Sequence, residues 1–216
     1  MLLDLWFRGI ETGLGWYVFF FLLLFFGIFI GFFFQRFKRF FYVVSVILFF
    51  LIGGRLILSG IHPLNWSKSA IDRFFWSPES LIFWLAIILS ISVAGLVLLL
   101  KKGDYPGRFF AGFIVTINLY YSIIWLSNWV ELIRFLRHLS FPVVMFLSFL
   151  VGIICVGWQG LLKALSSLLG SSLLTIAYCE VLKRLEENDT FLGQSPFVLF
   201  IFLVGAVLMD AVQSRK

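Results

Sequence analysis

Two stretches, Gly15 to Phe34 and Leu81 to Leu100, each run for 20 residues without one charged side chain. At ~1.5 Å of rise per residue, such a block crosses the ~30 Å hydrocarbon core of a bilayer. Inside lipid every backbone N–H and C=O must find its partner within the protein, which leaves only helices or closed barrels. A barrel needs ~10-residue segments of alternating polarity, and the chain has none. Seven apolar segments can be read, at 14–34, 40–58, 80–100, 108–127, 141–158, 161–179 and 196–212. The fold they imply is all-α: a polytopic transmembrane bundle of six to seven helices.

The rest of the chain offers little else to fold. Hydrophobic residues make up 62% of it and charged residues 13%. The longest polar stretches, Ser59 to Ser80 and Glu180 to Pro196, are too short to enclose a core of their own. Residues 1–216 therefore read as a single integral membrane domain. The net charge of +6 sits in short loops beside apolar blocks, where membrane topology accounts for it, so no nucleic-acid partner is expected. Asp4 and Arg8 precede the first block and Gln35-Arg36 follows it. That pattern lacks a signal-peptide cleavage site, and the block is expected to stay as the first helix. Two cysteines, Cys155 and Cys179, make no disulfide framework.

Sidedness follows from the loop cations. Arg36, Lys38 and Arg39 in the first loop and Lys101, Lys102 and Arg108 in the third place both on the cytoplasmic side. The N-terminus is then outside. Seven crossings leave nine Lys and Arg inside and seven outside, Arg55 apart. The second half is nearly balanced, so six helices with a re-entrant segment within 141–179 is the alternative. Trp16, Trp66, Trp76, Trp125, Trp129 and Trp158 fall near segment ends, where an amphipathic ring suits the headgroup layer. Ser67 to Trp76 and Asn128 to Leu139 mix charge with large apolar residues, as short interfacial helices do.

Residues 27–66 carry a more particular pattern. Gly27-Ile28-Phe29-Ile30-Gly31 leads through Phe34-Gln35-Arg36-Phe37-Lys38-Arg39 to a second apolar helix, then to Ser59-Gly60-Ile61-His62-Pro63-Leu64-Asn65-Trp66. This resembles the membrane hairpin of the FUN-fourteen family, which includes mitophagy receptors. The resemblance covers about one fifth of the chain and implies a helical hairpin within 14–66. It does not extend to receptor function, because the acidic-aromatic tail of those receptors is missing and four more apolar segments follow. The residues also read without the family. Gly27 and Gly31 share a helix face that lets another backbone approach. The basic turn suits anionic headgroups.

Polar residues inside the apolar segments are the candidates for function. Arg55 lies in the second segment, where it needs a partner, a water-filled cavity, or a route to snorkel to the interface. Thr116, Asn118 and Tyr121 in the fourth segment suit either interhelical hydrogen bonds or the lining of a path. Ser167, Ser171 and Thr175 repeat every four residues along the sixth, the most polar segment, as a helix-packing stripe or a polar pore lining. Glu180 and Asp210 read as the interfacial ends of the sixth and seventh segments. No catalytic, cofactor-binding or metal set emerges. His62 and His138 stand in separate loops, and no zinc spacing, P-loop or nucleophile elbow occurs.

Two function classes follow. The first is a non-enzymatic accessory subunit, scaffold or homo-oligomer that works by helix packing, with the bilayer and other membrane subunits or its own copies as partners. The second is a channel or small-solute transporter, with Arg55 and the polar fourth and sixth helices lining the path. A transporter of charged substrates would carry more ionisable groups at mid-depth. An intramembrane enzyme ranks last.

Overall fold

The computed structural model describes residues 13–61, 75–77, 80–99, 104–184 and 195–215. Among them every regular element is helical: α1 (Gly13–Phe33), α2 (Lys38–Ile61), α3 (Leu81–Leu99), α4 (Asp104–Leu126), a 3₁₀ helix (Glu131–His138), α5 (Phe141–Gly157), α6 (Gln159–Arg184) and α7 (Ser195–Ser214). Five helices, α2, α3, α4, α6 and α7, are long and apolar enough to cross a bilayer. Two shorter apolar stretches accompany them, Tyr17–Phe33 within α1 and Phe141–Gly157, which is α5. This is an α-helical membrane protein, with seven α-helices among the described residues.

Local chemistry sets where the helices start. Pro106, Pro142 and Pro196 each stand in the first turn of a helix, where the missing N–H has no intrahelical partner to lose. Asp104 opens α4, with its negative charge at the positive end of the helix dipole. Ser80 caps α3 by accepting a hydrogen bond from the Phe83 N–H at 3.3 Å. The segment Asn128 to Leu139, expected from its sequence to be an interfacial helix, contains the 3₁₀ helix. Its counterpart at Ser67 to Trp76 falls largely outside the described residues, as does the Gly60 to Trp66 loop beyond Ile61.

The described residues belong to two compact units. One draws on Met1–Arg36, Val115–Ser148 and Gly160–Lys216, the other on Phe37–Ile114 and Phe149–Gln159. The core of the first joins Phe19 and Leu23 of α1, Leu126 at the end of α4, Ile176, Ala177 and Cys179 of α6, and Val198 of α7. In the second, Leu58 of α2 and Phe75 close on Leu51, Ile82 and Phe83. Elsewhere in that unit Phe49 packs edge-on against Phe110 and Phe113, with centroids 5.0 and 4.9 Å away. Helix α3 buries Ala86, Ser90, Ala94 and Val97 and turns Leu85, Ile88 and Ile91 outward. Small residues therefore face protein and large aliphatic ones face lipid, the division expected where the solvent is itself apolar.

Candidate helix-packing site

The most polar helix is the most enclosed. Within the apolar window of α6, 61% of residues are buried, against 22–44% for the other four long helices. Four of its hydroxyls are spent on backbone carbonyls. Ser166 donates to Lys163 O at 2.7 Å, Ser172 to Leu169 O at 2.8 Å and Thr175 to Ser171 O at 2.9 Å. Ser171 reaches out of the helix and donates to Phe202 O of α7 at 2.6 Å. Ser167 is also buried, and its Oγ has no hydrogen-bond partner among the described residues. Of the four carbonyl bonds, only that of Ser171 joins α6 to a neighbouring helix; the other three close within α6.

Glycines on both neighbours complete the contact. A Cβ built on Gly170 of α6 would stand 2.5 Å from Gly31 Cα and 2.8 Å from Gly27 O of α1. Leu174 fills the space beside Gly27, and Met209 of α7 fills the space beside Gly31. On the other flank a Cβ on Gly205 of α7 would stand 2.5 Å from Ser171 Oγ. Gly27, Gly31 and Ser171 thus meet at one junction of α1, α6 and α7, with Thr175 bonded back to Ser171 one turn on. Such backbone approach is open only to small residues.

A polar knot closes this junction at one end. Gln213 of α7, 5% exposed, donates through Nε2 to Ile30 O at 3.4 Å and to Gly31 O. Both carbonyls belong to the last turn of α1, where helical carbonyls lack intrahelical donors. Gln213 therefore acts as a C-cap supplied by another helix. Beside it Lys163 pairs with Asp210 at 3.2 Å and bonds to Ser214 Oγ. Asp210 is not a helix end, as its sequence setting suggested: α7 continues to Ser214, and α6 likewise passes Glu180 to reach Arg184. The apolar segments stop earlier than the helices do.

The remaining candidates are spread over both units. Arg55 is half-buried on α2 in the second unit. Thr116, Asn118 and Tyr121 are half-buried on α4 in the first. The Asn118 carbonyl accepts from Ser122 Oγ at 2.8 Å, and the nearby Tyr120 hydroxyl donates to Leu139 O at 3.1 Å. No group of three metal-ligating side chains occurs among the described residues. Cys155 and Cys179 are free and buried. Sequence reasoning missed Gly205 and Gln213. The only available signal was their position on the last apolar helix, in register with nothing visible until α6 is laid beside it. Compared with known proteins, the chain matches no family model, no curated protein and no solved structure.

Proposed function

We propose that this protein is a non-enzymatic, multi-pass membrane subunit or scaffold that works through helix packing, with other membrane subunits or its own copies as partners. The observation behind this reading is the use of polarity in α6. Ser166, Ser171, Ser172 and Thr175 bond to carbonyls of their own helix or of α7, and Ser171 does so inside a junction lined by Gly27, Gly31, Gly170 and Gly205. A polar stripe lining a solute path would instead leave hydroxyls open to water. Gentle purification from the native membrane, followed by mass spectrometry of everything that co-purifies, tests the reading. A stoichiometric membrane partner or a stable homo-oligomer is expected. A monomer without companions would sink it.

The transport reading rests on Arg55 and on Thr116, Asn118 and Tyr121. Solute flux into liposomes that falls on changing Arg55 or Asn118 would favour it and displace the scaffold. The orientation that goes with our reading has the N-terminus outside and seven crossings. Two sets of contacts support it. In the second unit the ion pair of Lys38 with Asp104 joins the first turns of α2 and α4, as a shared side for the first and third loops would require. In the first unit Gln213 and Lys163 bring together the end of α1, the start of α6 and the end of α7, as alternating crossings require. The likeness of residues 27–66 to the FUN-fourteen hairpin remains a proposal about that segment alone.

A further inference from the structure

Within the second unit the first turns of α2 and α4 carry a concentration of cations, beside the end of α5. Asp104 Oδ2 pairs with Lys38 Nζ at 3.0 Å, and its Oδ1 lies 3.9 Å from Arg39 Nε. One carboxylate thus serves two cations, and the Arg39 side chain is still 63% exposed. One helical turn beyond Asp104, on the same face of α4, stands Arg108. Its partners are neutral: Val156 O at 3.3 Å, Gln159 Oε1 at 3.2 Å and the Tyr105 ring, 5.5 Å from centroid to Cζ. The faces are locked together, because Gly107 leaves room only for the Tyr42 ring, one turn along from Lys38. Lys38, Arg39 and Arg108 against Asp104 leave a surplus of two positive charges. The aromatic rings of Phe40 and Tyr105 are exposed beside them.

We propose that this corner is a binding site for the headgroup of an anionic phospholipid. Three features select that ligand. Lys38 and Asp104 are the first residues of two spans, so the charges stand at headgroup depth. A phosphodiester supplies the negative charge that Asp104 cannot, and guanidinium groups recognise it through paired N–H donors. The exposed rings next to the cations suit the glycerol and upper acyl region, which a free phosphate does not possess. The inference goes beyond the scaffold reading and does not depend on it.

The test is native mass spectrometry of the full-length protein in detergent. Phosphatidylglycerol, phosphatidylcholine or inorganic phosphate is titrated in. Phosphatidylglycerol should stay bound at collision energies that strip phosphatidylcholine. Arg39→Gln, an exposed change that spares the helix contacts, should weaken phosphatidylglycerol retention about fivefold, the worth of one cation near a membrane surface. Arg108→Gln should weaken it further, and Lys183→Gln, an equal charge loss at the end of α6, should not. Equal retention of both lipids, an Arg39→Gln protein that binds like wild type, or displacement by millimolar phosphate would each overturn the proposal.

Discussion

Gly170 and Gly95 are both helical glycines, yet the structure assigns them opposite consequences. A methyl group on Gly170 would meet the backbone of α1, 2.5 Å from Gly31 Cα and 2.7 Å from its nitrogen, and backbone cannot step aside. Gly170→Ala should therefore destabilise by about 1–3 kcal/mol, the usual cost of overpacking. Gly31→Ala would press on the tip of Met209, a flexible side chain that can turn away, so its cost should be smaller. Gly95 has nothing within 4 Å of its would-be Cβ, and Gly95→Ala should gain about 0.5–1 kcal/mol from the entropy of the helix backbone. Thermal unfolding midpoints in detergent check the order Gly170 below Gly31 below wild type below Gly95. A Gly170→Ala protein as stable as wild type would remove the close α1–α6 approach from the account.

At the scale of elements, two polar contacts at the end of α7 look alike but should differ in weight. Lys163 and Asp210 form an ion pair whose carboxylate side chain is 44% exposed, and such pairs are worth about 0–1 kcal/mol. Gln213 is buried and serves two carbonyls at the end of α1. Removing its donor leaves those carbonyls enclosed and unpaired, at about 1–3 kcal/mol. Gln213→Glu, which keeps shape and loses the amide N–H₂, should thus cost more than Asp210→Asn. Equal losses in unfolding midpoint would mean that Gln213 only fills space. The same helix ends mark what hydropathy could and could not reveal. The apolar reading of 14–34 falls within one residue of Gly13–Phe33, and 141–158 within one of Phe141–Gly157. It stops at 179 where α6 runs to Arg184, and begins at 108 where α4 begins at Asp104. Hydropathy registers contact with lipid, whereas the backbone continues to hydrogen-bond through polar turns beyond it. The stripe of Ser167, Ser171 and Thr175 was legible as a polar face of one helix, open to a packing or a pore-lining use, but Gly205 beside Ser171 was not. A glycine on another helix gives no sign of its neighbour until both helices are in place.

For the whole molecule, the number of crossings decides on which side the chain ends, and the count turns on α5. With 17 residues it is about 25 Å long, a little short of the hydrocarbon core. Read as a re-entrant segment, it would leave six crossings and put Arg215 on the opposite side from Arg36. Read as a crossing, it puts both on one side. The contacts inside the second unit favour a crossing: Arg108 of α4 meets Val156, while Gly112, further along α4, meets Gly152 and Cys155, the antiparallel order of a helix that returns across the same layer. Snorkelling flanking residues and local thinning of the bilayer readily make up a few missing ångströms. Independently, in the first unit Gln213 reaches the last turn of α1, which leads in three residues to Arg36. Arg36, Ser140 and Arg215 are all exposed, whereas the two native cysteines are buried and should stay silent toward a membrane-impermeant thiol reagent. In sealed vesicles, Arg36→Cys and Arg215→Cys should therefore be labelled from the same side, and Ser140→Cys from the other. Labelling of Arg215→Cys together with Ser140→Cys would instead make α5 re-entrant, because an even number of crossings is the one arrangement that carries the C-terminus back to the side of the 126–141 connection.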